Sequence, residues 1–341
     1  MPCGTAGMMP TMLPLSVLDL APIVEGSDAA QALRHSLDLA QHAEAWGYRR
    51  YWVAEHHNMD GVASSATAVV IGQLAAATRT IRVGSGGIML PNHAPLVIAE
   101  QFGTLATFFP GRIDLGLGRA PGTDGPTMRA LRRHLDRAGE DRFPEDVIEL
   151  QSYLAPEREG QVVRAVPGQG TEVPIWLLGS SLYSAQLAAY LGLPFAFASH
   201  FAPELLMQAL ALYRSQYRPS PRHPKPYAMM GINIITADTD AEARTLFSSL
   251  QQRFLGMQRG KRGLLPRPVD SMEGLWTAAE QAGVERMLAE SLVGSPATVA
   301  AGLKATQART GVDEFIVACA VHDAQARLRS YQLLAELKLG A

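Results

Sequence analysis

The amino-acid sequence predicts an α/β fold of the (β/α)8 TIM-barrel type, and three observations support this. Short apolar runs alternate with longer segments of helical spacing, a pattern typical of parallel strands buried on both faces. Eight such runs are present, and eight parallel strands can close into a barrel. The 341 residues are 47% hydrophobic and 18% charged, which provides a large core. We expect a disordered leader over 1–12 and a single domain over 13–341.

The predicted strands are rich in aliphatic residues. They lie at 15–20, 50–54, 81–89, 113–117, 174–178, 195–198, 228–235 and 314–319.

The segments between the strands carry helix signals. An apolar stripe before Gly47, which suits a helix C-terminus, predicts the first helix. Its members are Ala29, Leu33, Leu37, Ala40 and Ala43. Pro95 opens a later helix at a position where proline is tolerated. The stripe of the closing helix is Ala324, Leu328, Tyr331 and Leu334.

Two longer stretches, 121–171 and 255–293, predict insertions after strands four and seven. Loops that follow barrel strands build the active site, so either insertion is a candidate lid. The second contains QRGKRGLLPRP, whose composition is typical of a mobile lid or of an ordinary solvated loop.

Charge and cysteine content exclude several classes of partner. A formal net charge of −2 favours neither nucleic acid nor an anionic membrane. Only Cys3 and Cys319 are present, which indicates a fold without disulfides in a reducing compartment, the cytoplasm. No secretory signal and no apolar stretch of bilayer length is recognisable.

Polar and glycine residues cluster at the ends of the predicted strands, where a barrel places its catalytic groups. They are Asp19 after strand one, Glu55, His56 and His57 after strand two, Gly84, Gly86 and Gly87 within strand three, Gly118 and Arg119 after strand four, Gly179, Ser180, Ser181 and Ser184 after strand five, and Ser199 and His200 after strand six.

The segment GSSLYS, beginning at Gly179, predicts an anion site. Its hydroxyls lie at the start of the following helix, where free N–H groups favour a phosphate, and Arg119 comes from the neighbouring strand. An ordinary serine N-cap is the alternative.

The pair His56 and His57 places two imidazoles at the barrel mouth, where an acid or base near neutral pH is useful. One of the two is expected to face the cavity. The alternative is one histidine in a structural hydrogen bond and the other in solvent. No HxH, HExxH or CxxC spacing is present, so we expect no metal site.

The glycines of strand three indicate a bulge or a flat ligand lying on bare backbone. The segment GLGRAPG does not match GxGxxG, so a Rossmann fold is not predicted.

Four segments together resemble the bacterial luciferase-like flavin monooxygenases. They are WVAEHHN at 52–58, VGSGGIMLPNHAP at 83–95, PGRIDLGLGRAPGTD at 110–124 and PIWLLGSS at 174–181. The resemblance covers nearly the whole chain and implies a luciferase-like barrel that binds reduced FMN at its mouth. It also implies a cis peptide bond between Gly86 and Gly87.

By this resemblance, FMNH2 reacts with O2 through a C4a-peroxyflavin and oxygenates a small organic substrate. Arg119, Ser180, Ser181 and Ser184 fall on phosphate-binding positions. Glu55 falls near the flavin and His56 on the catalytic histidine position, with His57 beside it. The resemblance further implies a separate NAD(P)H:flavin reductase and a homodimer.

The chain departs from its light-emitting relatives at three positions. Gly118 replaces a reactive cysteine beside the flavin, Ser180 replaces an acidic residue, and Ser199 replaces a tryptophan. Light emission therefore does not carry over. Hydride transfer with the deazaflavin F420, a non-catalytic flavin-binding protein and a metal-dependent barrel hydrolase are the alternatives.

Overall fold

The computed structural model describes residues 13–120, 122–131 and 141–337. Within these residues the chain forms a closed barrel of eight parallel strands with helices between them, which confirms the predicted fold class. The predicted leader over 1–12 lies outside the described residues, as does part of the first predicted insertion.

All eight predicted strands are present, and a ninth short strand accompanies them. The strands are β1 (Leu15–Asp19), β2 (Arg50–Val53), β3 (Arg82–Met89), β4 (Ile113–Gly118), β5 (Ile175–Gly179), β6 (Phe195–Phe197), β7 (Ala228–Thr236), β8 (Leu292–Gly294) and β9 (Glu314–Ala318).

The barrel closes because β9 pairs with both β1 and β7. Leu15 lies opposite Phe315, and Met230 lies opposite the same residue from the other side. The strand that the sequence missed, β8, pairs only with the end of β7, where Ile234 lies opposite Leu292. Three residues are too few for a periodic pattern, so only the paired neighbour identifies this strand.

Helices connect the strands on the outside of the barrel. They are α1 (Ala29–Ala45), α2 (Thr67–Ala77), α3 (Pro95–Phe108), α4 (Gly125–Leu131), α5 (Phe143–Leu154), α6 (Leu182–Leu191), α7 (Leu206–Gln216), α8 (Asp240–Gln258), α9 (Ala278–Met287), α10 (Pro296–Thr310) and α11 (Ala324–Glu336). None of the helices in the described residues combines the length and hydrophobicity needed to cross a bilayer.

The first helix differs from its predicted stripe. Ala29 is exposed, whereas Ala32 and Ser36 are buried. Ser36 donates a hydrogen bond to the Asp19 carboxylate at 2.5 Å. The buried face of the helix therefore includes this serine and is rotated from the face predicted from apolar residues alone. Asp19 also accepts hydrogen bonds from Tyr51 of β2 and Arg327 of α11, so it joins β1 to the neighbouring strand and to the outer helices.

Charged residues fill the barrel at the N-terminal ends of its strands. Arg50 of β2 is buried and donates to Asp114 of β4 at 2.7 Å and to Glu314 of β9 at 3.1 Å. Arg82 pairs with Asp114 from the other side. The guanidinium of Arg50 also lies 4.8 Å from the ring centre of Trp176. This network closes the end of the barrel opposite the candidate site.

Strand β3 is irregular where its glycines lie, as the sequence predicts. Its register against β4 shifts between Ser85 and Ile88. The Gly86–Gly87 peptide bond is cis, which confirms the prediction made from the resemblance.

Candidate active site at the barrel mouth

The C-terminal ends of the barrel strands form a mouth that the second predicted insertion partly covers. Leu265 donates a backbone hydrogen bond to Ile23 and accepts one from Glu25, both at 2.9 Å. Gly61 approaches the backbone of Gly263 so closely that a side chain at Gly61 would collide with it. The segment after α8 therefore crosses to the loops that follow β1 and β2.

Glu55 is the centre of a buried hydrogen-bond cluster. One of its oxygens accepts from Nε2 of His57 and from Nε2 of His93, each at 2.8 Å. The other oxygen accepts from the backbone N–H of Met89 at 3.1 Å. Burial alone raises the pKa of Glu55, but the hydrogen bonds from His93, His57 and Met89 outweigh it, so the pKa lies below its usual value. The carboxylate thus ties the end of β2 to the turn after β3.

The same three side chains also form a possible set of metal ligands. The ligand atoms of Glu55, His57 and His93 all lie within 4.8 Å of one another. The metal-binding spacings sought in the sequence did not predict this group, because His93 comes from the turn after another strand. The hydrogen bonds that both imidazoles donate to the Glu55 carboxylate are sufficient to hold the three side chains together.

His56 takes no part in the hydrogen bonds of this cluster. Its Nδ1 is buried and has no hydrogen-bond partner among the residues that the structure describes, and the same holds for Nδ1 of His200 after β6. Burial, with the nearby charge of Arg253, lowers the pKa of His56 to about 4. Burial, with the charge of His56, lowers the pKa of His200 to about 4. Two neutral imidazoles therefore follow β2 and β6 at the mouth.

The ring of His200 is held by its neighbours. A Cβ added at Gly231 of β7 would lie 2.6 Å from Nδ1 of His200, so only glycine leaves room for this imidazole. Asn233 donates to the backbone oxygen of His200 at 2.6 Å, and the ring of Phe201 packs edge-on at 4.8 Å. The sequence placed His200 at a strand end, and in the structure it follows β6.

Bare backbone lies beside the histidines at β3. A Cβ added at Gly86 would lie 2.6 Å from Cδ1 of Leu18, and one added at Gly87 would lie 2.7 Å from the backbone oxygen of Gly116. A Cβ added at Gly118, at the end of β4, would lie 3.0 Å from the sulfur of Met89. Gly86 remains partly accessible, so these glycines form a floor without side chains at the mouth.

The segment after β5 forms the N-terminus of α6. Ser181 is the N-cap, and its side chain accepts from the backbone N–H of Ser184. The hydroxyl of Ser184 donates to the backbone oxygen of Ser181 at 3.0 Å. A side chain at Gly179 would collide with that hydroxyl. Ser180 is half-buried between the strand and the helix.

Arg119 lies next to this helix start, as the sequence predicts. Its guanidinium carbon is 4.4 Å from the ring centre of Tyr183, the second residue of α6. It forms an exposed ion pair with Asp141 at 3.1 Å. The side chain is about half exposed, so this ion pair is weak.

The fold and the site together define a class of protein: a (β/α)8 barrel with glycines in β3, a serine-capped helix start after β5 and two partly buried histidines at its mouth. The model of the luciferase-like monooxygenase family matches residues 13–314, and the chain belongs to this family of oxidoreductases.

Similar proteins cover almost the whole chain. A luciferase-like monooxygenase of Escherichia coli strain K12 is 59% identical over 324 residues, 95% of this chain and 96% of its own length. The N-acetyl-S-alkylcysteine monooxygenase of Bacillus subtilis is 32% identical and covers 97% and 99%. The crystal structure of apo-MsnO8 is 37% identical, with a TM-score of 0.86 and coverage of 96% and 98%.

More distant structures share the fold and bind different cofactors. The oxygenating constituent of 3,6-diketocamphane monooxygenase from Pseudomonas putida, in complex with FMN, has a TM-score of 0.70, 18% identity and coverage of 95% and 97%. An F420-dependent secondary alcohol dehydrogenase has a TM-score of 0.63, 13% identity and coverage of 94% and 97%. At these identities the likeness shows the fold alone.

Proposed function

We propose that this protein is a monooxygenase that takes FMNH2 from a separate NAD(P)H:flavin reductase and inserts one oxygen atom of O2 into a small organic substrate. We further propose that it works in the cytoplasm as a homodimer. The observation that carries the proposal is the placement of the glycine floor and the helix start at the ends of β3, β4 and β5, which are adjacent in the barrel. A flat ring with a phosphate tail needs such a pair of surfaces.

The residues present fit FMN. The backbone of the Gly86–Gly87 segment, where Gly86 is partly accessible, can lie against a planar ring. The start of α6 offers free N–H groups and the hydroxyl of Ser181 to a phosphate, and Arg119 supplies a positive charge. Bound reduced flavin would supply the electrons and the site of O2 activation.

In this proposal, His56 and His200 act on the flavin or the substrate bound at the mouth. Because their pKa values are near 4, His56 and His200 are neutral at pH 7, and each has one buried ring nitrogen free to donate or accept a single hydrogen bond. His56 is the proposed acid or base. Glu55 and His57 keep the end of β2 in place, and we assign His57 a positioning role beside His56.

The segment that crosses the mouth has a second proposed role. Residues 259–265 lie over the loops after β1 and β2 and restrict the entry of water to the site. A dry site favours oxygen transfer to substrate over loss of the activated oxygen to water.

Apolar residues on two neighbouring helices support the homodimer. Val69 of α2 is 67% exposed, and Phe108 of α3 is 73% exposed. Such side chains on adjacent helices are typical of an interface that a second copy covers. Sedimentation velocity on the wild type and on Phe108→Glu tests this, and a monomeric wild type would refute it.

The cofactor is tested by anaerobic titration of the purified protein with FMN, FMNH2 and F420. We expect FMNH2 to bind most tightly, and Arg119→Gln to weaken it about 10-fold. Admission of 18O2 in the presence of a substrate should then place one labelled oxygen atom in the product. Preferential binding of F420 would indicate hydride transfer instead, and turnover unchanged in His56→Ala would contradict the assigned role of His56.

A further inference from the structure

Three side chains from two different loops bring one oxygen and two nitrogen atoms close together at the barrel mouth. Glu55 and His57 follow β2, and His93 follows β3. One carboxylate oxygen of Glu55 lies 2.8 Å from Nε2 of His57 and 2.8 Å from Nε2 of His93, and all three atoms lie within 4.8 Å of one another. Two imidazoles and a carboxylate are a ligand set that divalent transition-metal ions bind.

The spacing of these atoms suits a single ion. Ligand atoms that bind a metal at about 2.0 to 2.2 Å, at angles of about 90 to 110°, lie about 2.8 to 3.6 Å from one another. The two oxygen–nitrogen distances in the cluster are at the lower end of this range. Small adjustments of the two rings are therefore enough to admit an ion between the three side chains.

Further hydrogen bonds hold the three residues in place. The second oxygen of Glu55 accepts from the N–H of Met89 at 3.1 Å, which fixes the plane of the carboxylate. The backbone oxygen of His57 accepts from the hydroxyl of Thr123 at 2.9 Å. The N–H of His93 donates into the turn that precedes it, also at 2.9 Å. Hydrogen bonds around a ligand set orient the ligands and raise the affinity for the metal.

An ion can reach this cluster from solvent. The side chain of Glu55 is 1% exposed, whereas the side chains of His57 and His93 are 16% and 27% exposed. The carboxylate is thus shielded from water, and the imidazoles lie at the surface of the mouth. A shielded carboxylate attracts a cation more strongly than an exposed one, because solvent and salt screen it less.

Another contact between a histidine and a carboxylate provides a comparison. His42 and Asp38 lie 3.3 Å apart on α1, and both side chains are nearly half exposed. Among the residues that the structure describes, no third ligand joins this pair. The pair therefore has one ligand fewer than the cluster and no buried oxygen, which makes His42 a suitable control.

We propose that Glu55, His57 and His93 bind one divalent transition-metal ion, of the class to which Zn²⁺ and Co²⁺ belong, through one carboxylate oxygen and two Nε2 atoms. In the hydrogen-bonded cluster each Nε2 carries the proton that it donates to Glu55. When the ion binds, the proton of each neutral ring moves to Nδ1, which frees the Nε2 lone pair for the metal. Water completes the coordination. The ion ties the loop after β2 to the turn after β3, and this role is independent of the proposed oxygenation.

The test titrates the purified wild type, after treatment with EDTA and dialysis, with CoCl₂, ZnCl₂ and MgCl₂. Calorimetry measures affinity and stoichiometry, and visible absorbance reports the replacement of water by nitrogen around Co²⁺. The variants are His93→Gln, which keeps an N–H donor for the carboxylate, Glu55→Gln, which keeps an oxygen and removes the charge, and His42→Gln as the matched control. Urea unfolding in EDTA checks that each variant is folded.

We expect one Co²⁺ or Zn²⁺ ion per chain and no binding of Mg²⁺, because a hard cation disfavours imidazole ligands. His93→Gln and Glu55→Gln should each weaken binding by about 100-fold or more, since residues that only orient a ligand already contribute about 10- to 100-fold. His42→Gln should bind as tightly as the wild type. At about a hundredfold excess of Zn²⁺ over its Kd, the Tm of the wild type should rise by about 4 °C.

Three outcomes would overturn the inference: Co²⁺ that keeps the spectrum of the aqueous ion, His93→Gln binding Co²⁺ as tightly as the wild type, or His42→Gln losing the ion instead. If a variant does not fold, the wild-type Co²⁺ spectrum still decides, because it requires no substitution. Failure of the wild type to bind any flavin would overturn the proposed function and leave this inference standing, since the titration contains no flavin.

Discussion

Replacement of Arg50 by methionine tests the division of the barrel into a structural end and a functional end. Arg50 is buried and holds Asp114 and Glu314, which are both fully buried, at 2.7 and 3.1 Å. Methionine fills a similar volume but leaves two carboxylates without this cation. Removing one partner of a buried ion pair typically costs about 3 to 5 kcal/mol.

The remaining contacts place the expected loss at the lower end of this range. Asp114 keeps its ion pair with Arg82, and Glu314 keeps the hydrogen bond from Tyr227 at 2.8 Å. We therefore expect the free energy of unfolding to fall by about 3 kcal/mol. With an unfolding entropy of about 2.1 cal/mol/K per residue over 341 residues, the Tm falls by about 4 °C.

The assay is unfolding in guanidinium chloride followed by tryptophan fluorescence, with calorimetry for the Tm. Arg286→Met, at an exposed position of α9, is the control and should change stability by less than about 0.5 kcal/mol. FMN affinity should be unchanged in Arg50→Met, because the network lies at the end opposite the mouth. An Arg50→Met protein as stable as the wild type, or one that loses FMN binding while still folded, would refute this reasoning.

Three further predictions concern the mouth. Gly87→Ala should lose about 1 to 3 kcal/mol of stability and bind FMN more weakly, because its Cβ would lie 2.7 Å from a backbone oxygen of β4. Gly263→Ala is the control, since a Cβ at Gly263 would enter open space. Equal unfolding midpoints for the two variants would contradict the steric argument. The wild type should become less stable as the pH falls from about 6.5 to 4, because the pKa values of His56 and His200 are lowered to about 4 and the unfolded chain takes up these protons first. Urea unfolding at several pH values measures how the free energy of unfolding depends on pH. This dependence should be weaker in His200→Gln. Arg119→Lys should retain more FMN affinity than Arg119→Gln but less than the wild type, because lysine keeps the positive charge and lacks the planar guanidinium. Titration followed by flavin fluorescence measures the three affinities. Equal affinities would show that Arg119 is not part of the FMN site.

The sequence predicted the barrel and most of its mouth from local patterns. Each barrel strand is an apolar run of its own, so eight runs were enough to predict eight strands. The candidates at the strand ends could also be named, because parallel strands that close into a barrel bring their C-terminal ends together. Glu55, His56 and the glycines of β3 were found in this way.

Other parts of the site depend on residues whose local sequence carries no signal. His93 looks like a residue of an ordinary turn, and only the pairing of β2 with β3 brings it to Glu55. Leu265 lies in a segment with the composition of a solvated loop, and only its hydrogen bonds with Ile23 and Glu25 show that this segment crosses the mouth.

The sequence by itself thus determined the fold class, the order of the strands and the chemical character of the strand ends, because these follow from periodicity and residue type within short windows. The tertiary structure decided which side chains contact one another. His57 pairs with Glu55, whereas Nδ1 of His56 is buried without a partner among the described residues, and Arg50 joins three strands at the far end. The physical reason is that such contacts are set by barrel closure and helix packing between residues far apart in the chain, and no short stretch of sequence encodes them.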